Sequence, residues 1–282
     1  MFKSKNKLKE LFKRSQEEKF AIGQFNFSTF CQLEGVSFAV KELKKSVICG
    51  TSEKEARFIG MQTAVFLKKR LKEECGVDLF LNFDHGKSFE SIKEAIDAGY
   101  DMVHFDGSDL SFEENIRLSK KVVDYAHKRN VLVEGEIAKI GGLSKVSQEK
   151  IEDVTLTSID KIVKFIRETG VDCIALDVGN VHGIHEKMPE LKLERITELK
   201  KETNCFIALH GGSGLAGNKI REAVANGVNK ININTELRVA WRDAIYKKLS
   251  EDADETTPYK ILPLAQEAVC IKTIEKIKLF NS

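Results

Sequence analysis

The chain has 282 residues, and its 45 Lys and Arg side chains nearly balance its 43 Asp and Glu side chains, which leaves a formal net charge of +2. These charges are spread along the chain instead of being massed in a tail, so neither nucleic acid nor a membrane surface is an expected partner. No run reaches the roughly 18 apolar residues of a membrane span, the N-terminus lacks the apolar stretch of a signal peptide, and the six cysteines form no CxxC pair. We therefore expect a cytoplasmic protein with no disulfide framework and no cysteine-based metal site.

Eight short runs of β-branched and aliphatic residues follow one another along the chain. The predicted strands are Phe20–Phe27, Ser46–Gly50, Asp78–Asp84, Met102–Asp106, Val131–Ile137, Asp172–Gly179, Cys205–His210 and Lys230–Asn234. Longer segments with helical periodicity separate them, and this alternation predicts a parallel sheet with helical crossovers. Runs that are apolar along their whole length, such as Ile174–Leu176, are typical of strands buried on both faces.

The spacing of apolar residues predicts helices between several of the strands. These helices are Phe89–Ala98, Phe112–Lys128, Ser158–Thr169 and Asn218–Ala225, with flanking helices at Ser4–Lys19 and Leu262–Leu279. Eight comparable units and the absence of a GxGxxG after the first strand favour an α/β fold closed into a (β/α)8 TIM barrel over an open sheet. No Ser- or Gly-rich linker interrupts the chain, so we expect one domain over residues 1–282. The flanking helices are expected to cap the barrel or to pack against a second subunit in a homodimer or higher homo-oligomer.

Three of the six histidines fall at predicted carboxyl ends of strands, where active sites of this fold are built. His85 follows the third strand, His182 follows the sixth, and His210 ends the seventh. Three neutral imidazoles that leave one position open form a catalytic zinc-type site, although imidazole also suits cobalt, nickel or iron. His104 lies inside a strand, where a hydrogen-bonded structural role is expected.

Carboxylates and glycine-rich turns lie at the same predicted rim. Asp84 precedes His85, and because successive strand residues point to opposite faces, Asp84 is expected to act as a base and not to share the metal. Asp106, Glu134 and Glu136 could orient a ligand, bind a second metal or exchange protons. The HGGSG turn after the seventh strand and the NINT stretch at the end of the eighth occupy the usual phosphate site of such barrels.

With these residues in place, the chain resembles the class II, metal-dependent fructose-bisphosphate and tagatose-bisphosphate aldolases from about Leu8 to Phe280. Five blocks carry the resemblance in the order and spacing of that family. They read FDHGKSFESIKEAIDAGYD, SFEENIRLSKKVVDYAHKRNVLVEGE, TGVDCIALDVGNVHG, LHGGSG and KININTELR.

The resemblance implies a role for each matching residue. Asp84 matches the catalytic aspartate, and His85, His182 and His210 match the ligands of the catalytic zinc. Asp106 and Glu136 match positions associated with a second metal site. The matches to the substrate pocket, which binds dihydroxyacetone phosphate, are Asn26, Gly183, Gly211, Gly212, Ser213, Asn232, Asn234 and Thr235. The implied chemistry is Lewis-acid stabilisation of an enediolate while Asp84 takes the C4 hydroxyl proton.

Several positions depart from the pattern of that family. The usual His-x-Asp-His begins here with Asn82, and Ala138 stands where a glycine is usual. After Gly-Gly, Ser144 occupies the region of an acidic loop residue that transfers a proton. The acids Glu149, Glu152 and Asp153 could replace it from a rearranged loop. Thr257, Pro258 and Tyr259 replace an Asp-Pro-Arg whose arginine can meet a distal phosphate, so the departures fall on the aldehyde side of the reaction.

Three functions follow, in order of preference. The first is a zinc-dependent aldolase that cleaves a ketose bisphosphate, with fructose 1,6-bisphosphate as the default, to dihydroxyacetone phosphate and glyceraldehyde 3-phosphate. The second keeps the mechanism with tagatose bisphosphate or another ketose phosphate. The third is a non-catalytic sugar-phosphate-binding homologue that kept the metal and the phosphate cradle.

Overall fold

The computed structural model describes residues 6–147 and 156–282. Eight parallel strands close into a barrel. In chain order they are β1 (Ile22–Asn26), β2 (Val47–Ser52), β3 (Leu79–Gly86), β4 (Met102–Asp106), β5 (Leu132–Glu136), β7 (Cys173–Ala175), β9 (Phe206–Leu209) and β10 (Lys230–Ile233). Around the barrel they follow the order β1-β10-β9-β7-β5-β4-β3-β2. Each of the eight predicted strands overlaps one of them, so the predicted (β/α)8 barrel is confirmed.

Two further strands lie outside the barrel and were not predicted. β6 (Gly141–Ser147) and β8 (Val181–His185) pair in parallel as a separate two-stranded sheet. The sixth predicted strand is correspondingly shorter than expected, because the chain leaves the barrel after Ala175. Asp177 and Arg195 form an ion pair at 3.2 Å just beyond this point. The insertion places His182 on a strand that overlies the barrel mouth.

Helices surround the barrel, and the predicted ones are present. They are α1 (Lys7–Glu18), α2 (Phe30–Leu43), α3 (Glu53–Ile59), α4 (Met61–Cys75), α5 (Phe89–Ala98), α6 (Phe112–His127), α7 (Ile159–Thr169), α8 (Glu194–Glu202), α9 (Gly217–Ala225), α10 (Thr235–Glu251) and α11 (Pro258–Phe280). The C-terminal helix α11 packs along α2 and α10. No helix in residues 6–147 and 156–282 is long and apolar enough to cross a membrane.

The amino-terminal end of the barrel interior is apolar, and we call it the apolar layer. It consists of Ile22, Ile48, Phe80, Met102, Leu132, Cys173, Phe206 and Ala208. Helix α1 closes it from below, because Leu8 and Phe12 insert into this cluster and are 1% and 0% exposed. The Phe12 ring stacks on Phe206 with ring centroids 4.9 Å apart. The prediction that the N-terminal flanking helix caps the barrel is confirmed.

The carboxyl-terminal part of the interior is polar, and we call it the polar layers. Residues two apart on a strand face the same side, so the inward-facing positions continue from the apolar layer toward the carboxyl ends of the strands. These positions hold Gln24, Asn26, Asn82, Asp84, His104, Asp106, Glu134, Glu136, His210, Lys230 and Asn232, all of which are buried. The fold therefore gathers polar groups from six strands at one end of the barrel.

Candidate metal centre and substrate cavity

The end of β3 brings two predicted site residues to the same side. Strict alternation predicts that Asp84 and His85 point to opposite faces, and this expectation is wrong: both line one cavity. The pairing of β3 with β4 shifts register between Phe83 and Gly86, and His85 adopts a left-handed backbone with φ of 54°. Such a conformation is uncommon outside glycine and points to a local functional constraint.

His85 is oriented from two directions. Its backbone N–H donates to His104 Nδ1 at 3.2 Å, and its own ring Nδ1 lies 3.0 Å from an oxygen of Asp106. A ring that donates from Nδ1 carries its lone pair on Nε2. The other ring nitrogen of His104, Nε2, lies 3.2 Å from an oxygen of Glu136. His104 thus has the hydrogen-bonded position expected of it, and it supports the turn that carries His85.

His210 is oriented by a buried ion pair. Its Nε2 lies 2.6 Å from Glu134, and the other oxygen of Glu134 accepts from Lys230 Nζ at 2.7 Å. All three side chains are 0% exposed. The short contact places the His210 proton on Nε2, facing the carboxylate, and leaves the lone pair on Nδ1. A carboxylate behind a histidine in this way sets the tautomer of a metal ligand and raises its basicity.

The ring nitrogens of His85 and His210 that do not face a carboxylate of Asp106 or Glu134 face each other. His85 Nε2 and His210 Nδ1 lie 3.1 Å apart. Two unprotonated ring nitrogens repel at this distance, so the contact requires either a proton or a metal ion between them. Two nitrogens bound tetrahedrally to one zinc ion at about 2.1 Å are about 3.4 Å apart. The nitrogen pair therefore fits a shared metal ion.

His182 completes the predicted set of three imidazoles. Its ring centroid lies 5.1 Å from that of His85 and 5.8 Å from that of His210, and the His85 and His210 centroids are 4.8 Å apart. Three imidazoles bound tetrahedrally to one ion have ring centres about 5 Å apart. The three rings are therefore neighbours, but His182 belongs to neither group of described residues whose ligand atoms all lie within 4.8 Å of one another.

Burial and neighbouring charges determine which histidines are neutral. Burial lowers the pKa of His182 well below its usual range, and His85 and His210 lower it further. Burial also lowers the pKa of His210 against the opposing effect of Glu134. Burial would lower the pKa of His85 as well, but Asp84 and the hydrogen bond to Asp106 raise it overall. The acidic groups around His85 thus favour a positive charge there, which a metal ion also supplies.

Two sets of described residues have ligand atoms close enough to hold a cation. The first is Asp84, His85, His104 and His210, and the second is His85, Asp106 and Glu136; within each set the ligand atoms lie within 4.8 Å of one another. The second set contains both residues predicted for a second metal. An ammonium group reaches this set, because Lys87 Nζ lies 2.9 Å from Asp106. Burial would raise the pKa of Asp106, but its hydrogen bond to His85 lowers it far below the usual range.

A chain of amide side chains holds the Asp84 carboxylate from below. Asn82 donates to Gln24 at 2.8 Å, Gln24 donates to Asn26 at 3.0 Å, and Asn26 donates to Asp84 at 3.0 Å. Asn232 donates to the second oxygen of Asp84 at 3.3 Å. Burial would raise the pKa of Asp84, yet the charges of His85, His210 and Lys230 and the contact with His104 hold it well below its usual range. Asp84 is therefore ionised at neutral pH and can accept a proton.

One cavity of about 200 Å³ brings most of the predicted site together. Its lining residues are Asn26, Ser52, Asp84, His85, His182, Gly183, Gly211, Ser213, Asn232, Asn234, Thr235 and Arg238. The turn after β9 requires glycine, because Gly211 has φ of +66° and a Cβ there would lie 2.0 Å from the Val181 carbonyl oxygen. Gly212, although predicted for this pocket, is not among the lining residues, and its N–H donates to the Asn232 carbonyl at 3.2 Å.

Sequence reasoning missed three groups around the cavity. Ser52 and Arg238 line it, and the buried Glu55 joins them. Glu55 and Arg238 are 183 positions apart, so only the closed barrel reveals their pairing. The N-cap pattern of Ser52 followed three residues later by Glu55 was a readable signal for the start of α3.

The departures noted in the sequence lie in three different places. Asn82 is buried in the polar layers, where its Oδ1 has no hydrogen-bond partner among the described residues. Tyr259 is 77% exposed at the start of α11. The acids considered for proton transfer, Glu149, Glu152 and Asp153, lie outside the described residues.

Known proteins are similar to this chain over nearly its whole length. A family profile described as "Fructose-bisphosphate aldolase class-II" matches residues 6–282. A fructose-bisphosphate aldolase from Geobacillus stearothermophilus is 35% identical over 280 residues, covering 98% of this chain and 96% of the relative. A 6-phospho-5-dehydro-2-deoxy-D-gluconate aldolase from Shouchella clausii is 33% identical over 271 residues, covering 95% and 92%. The crystal structure of the YdjI aldolase from Escherichia coli superposes with a TM-score of 0.83 at 28% identity and covers 98% of this chain and 96% of that one.

Proposed function

Because this chain belongs to the class II fructose-bisphosphate aldolase family, we propose that it cleaves fructose 1,6-bisphosphate reversibly to dihydroxyacetone phosphate and glyceraldehyde 3-phosphate. Family membership makes the chain a metal-dependent aldolase, which is a carbon–carbon lyase. We assign His85, His182 and His210 as the ligands of one catalytic ion and take zinc as that ion. The observation that carries this assignment is the 3.1 Å approach of His85 Nε2 to His210 Nδ1, while the other nitrogen of each ring faces a carboxylate.

Each group around the proposed ion has a defined task. The bound ion supplies Lewis-acid polarisation of the substrate carbonyl. Asp84 accepts the proton of the C4 hydroxyl as the C3–C4 bond breaks, and Asn26 and Asn232 hold its two oxygens in place. Glu134 orients His210, and Asp106 orients His85. Such carboxylates behind the ligands typically contribute 10- to 100-fold in metal affinity or activity.

The phosphate of the dihydroxyacetone phosphate half is assigned to the turns on one side of the cavity. Gly183, Gly211 and Ser213 supply backbone groups and a hydroxyl, and Asn234 and Thr235 begin helix α10, whose positive end faces the cavity. Backbone N–H groups at a helix N-terminus favour an anion. Gly212 supports this cradle through its bond to the Asn232 carbonyl. Asp106 and Glu136 are the proposed ligands of a second cation.

A Schiff-base mechanism would require a lysine that can reach the substrate carbonyl. Lys230 is the lysine in the polar layers, but it is 0% exposed, and its ammonium group is bound to Glu134 and Asn232, each at 2.7 Å. Lys230 therefore neutralises the buried charge of Glu134. This geometry favours metal-dependent cleavage over covalent catalysis.

A retro-aldol assay across ketose monophosphates and bisphosphates, with and without a chelator, tests the proposal. We expect cleavage of fructose 1,6-bisphosphate to fall at least about 100-fold on metal removal and to return with added zinc. Borohydride trapping with dihydroxyacetone phosphate should give no covalent adduct. Undiminished activity in metal-free protein would contradict the metal assignment. Preference for tagatose 1,6-bisphosphate or another ketose phosphate would replace the default substrate, and phosphate binding without turnover would indicate the non-catalytic homologue.

We also propose that the chain acts in the cytoplasm as a homodimer or higher homo-oligomer. All six cysteines are free thiols, as expected in a reducing compartment. Large apolar side chains are exposed on the adjacent helices α10 and α11, namely Tyr246, Tyr259 and Ile271 at 76%, 77% and 59%. Light scattering on the purified protein measures the subunit count directly, and a monomeric mass at micromolar concentration would contradict the proposed assembly.

A further inference from the structure

Lys87 is a charged side chain beside the metal centre that has no task in the chemistry above. It follows β3 directly, and its ammonium group lies 2.9 Å from Asp106 Oδ2 and 2.9 Å from Asp109 Oδ2. The side chain of Lys87 is 47% exposed, whereas that of Asp106 is 7% exposed. The ammonium group therefore reaches a buried carboxylate from the solvent side.

The carboxylate that Lys87 contacts belongs to a compact group of ligand atoms from His85, Asp106 and Glu136, which we call the acidic cluster. Asp106 and Glu136 are partners in the register of β4 with β5. His85 Nδ1 lies 3.0 Å from Asp106 Oδ2 and 3.6 Å from Glu136 Oε2. Carboxylate oxygens and imidazole nitrogens are both ligands of zinc.

One carboxylate oxygen of the acidic cluster lacks a partner. Glu136 is 1% exposed, and its Oε2 has no hydrogen-bond partner among the described residues. Burying such an oxygen is costly unless a positive charge lies nearby. Asp106 brings a second carboxylate on the neighbouring strand. The acidic cluster therefore favours a cation.

Lys87 and a metal ion in the acidic cluster would compete for one oxygen. Asp106 Oδ1 accepts from the Ser108 hydroxyl group at 2.6 Å and from the Ser108 backbone N–H at 3.2 Å. The other oxygen, Oδ2, contacts both Lys87 and His85. A metal ion bound to Oδ2 would lie close to the ammonium group, and two cations at such a distance repel each other. Because the four-carbon stem of lysine is flexible, Lys87 can withdraw into solvent when an ion takes its place.

We propose that the ammonium group of Lys87 is a built-in counter-ion of the acidic cluster, which a second metal ion must displace. This inference rests on the proposed metal centre and adds a residue that limits its occupancy. The working protein then holds one metal ion per chain, at the three histidines, while Asp106 keeps the contact that orients His85. A second ion binds only at a concentration high enough to displace the ammonium group.

Equilibrium dialysis against increasing zinc, followed by metal analysis, tests the proposal on the whole chain. The wild type should bind one ion per chain tightly and a second one weakly. Lys87→Met should bind the second ion roughly 10- to 100-fold more tightly, a change of the size that partners of metal-binding side chains typically produce. Lys87→Arg keeps the positive charge and should stay close to the wild type.

A double variant locates the second ion. Adding Glu136→Gln to Lys87→Met removes a ligand of the acidic cluster and should abolish the gain in affinity. A gain that persisted in the double variant would mean that the ion binds elsewhere, and the inference would be overturned.

Lys139→Met is the matched control, because Lys139 also pairs with Asp109, at 3.5 Å, and is 75% exposed. It removes one surface charge but leaves the contact between Lys87 and Asp106 in place, so the affinity for the second ion should not change. Unchanged affinity in Lys87→Met, or an equal rise in Lys139→Met, would overturn the inference. A wild type that bound two ions equally tightly would also overturn it. If no variant and no wild-type protein bound zinc, the proposed metal centre itself would fail, so the two failures are distinguishable.

Discussion

The two ends of the barrel interior use the same eight strands for different purposes. In the apolar layer, side chains such as Phe80 and Phe206 pack against α1 with no polar atom to satisfy. In the polar layers, further along six of the same strands, the inward positions carry charged groups, imidazoles or amides. Burying such groups costs free energy unless each finds a partner. The contrast teaches that the apolar layer stabilises the barrel, whereas the polar layers place chemistry at its mouth.

The polar layers meet this cost by pairing groups of opposite charge and by extended hydrogen-bond chains. Lys230 with Glu134 and Asn26 with Asp84 are examples in which both partners are buried. Exceptions among the described residues of the polar layers are Asn82 Oδ1, a Glu136 oxygen and His104 Nε2. The last two approach to 3.2 Å without a well-directed hydrogen bond. Incomplete satisfaction of buried groups often marks a functional site. Here Glu136 and His104 lie beside the proposed metal ligand His85.

The largest expected effect comes from a change in the polar layers that preserves shape. Asp84→Asn removes the carboxylate that accepts the C4 hydroxyl proton, and we expect kcat to fall roughly 10²- to 10⁴-fold. The free energy of unfolding and the zinc content should remain close to those of the wild type. Steady-state kinetics, urea unfolding and metal analysis on one preparation measure all three. Loss of zinc together with activity would instead make Asp84 a metal ligand.

A second change affects both stability and activity, because it removes a charge from the centre of the barrel interior. Lys230→Met leaves Glu134 without its cation where both side chains are 0% exposed. Breaking one partner of such a pair typically costs about 3–5 kcal/mol of stability. The double variant Lys230→Met, Glu134→Leu removes both charges and should recover most of that loss in urea unfolding. Its activity should stay low because His210 loses its orienting carboxylate, and a fully active double variant would contradict that role.

In the apolar layer, the expected effect is on stability alone. Phe12 is 0% exposed and stacks on Phe206 beneath the barrel. Phe12→Ala should lower the free energy of unfolding by about 3–5 kcal/mol, through lost burial and the cavity left behind. At a temperature where the variant is still folded, kcat/KM and zinc content should match the wild type. A tenfold loss of kcat/KM under those conditions would show that the two ends are coupled.

The sequence predicted the eight strands, the flanking helices and most of the cavity lining because these depend on periodicity and on the known location of active sites in barrels. It did not predict that His85 and Asp84 share a face, since the register shift at the end of β3 breaks strict alternation. Nor did it predict the contact between Glu55 and Arg238, which joins distant segments only once the barrel closes. The β6–β8 sheet was missed for a similar reason: its strands pair only across an insertion. Local patterns thus predicted the elements, and long-range contacts required the structure.

The smallest effect concerns the attachment of α1 below the apolar layer. Asp172, whose side chain is 5% exposed, accepts from Lys9 of α1 at 2.9 Å and from the Val133 N–H at 3.0 Å, and it lies 2.8 Å from His127 Nε2. Burial would raise the pKa of Asp172, but His127 and Lys9 lower it below its usual value. A carboxyl group with a lowered folded-state pKa stabilises the protein above its unfolded pKa of about 3.9, and this contribution is lost as the pH falls through the folded value.

Asp172→Asn should therefore lower the free energy of unfolding by about 1.5–3 kcal/mol at pH 7, the range for hydrogen bonds to a charged group. The difference in free energy of unfolding between the wild type and the variant should remain nearly constant down to about pH 5. It should shrink below about pH 4, because the wild-type carboxyl group is then protonated and, like the amide, uncharged. Urea unfolding at a series of pH values measures it, with Lys9→Met as the control for the contact with α1. Cleavage at neutral pH should not change, because Asp172 is at the end of the barrel remote from the cavity. A gap that widened on acidification would mean that the pKa of Asp172 is raised by folding, and the attachment of α1 would then have to be explained by its apolar contacts alone.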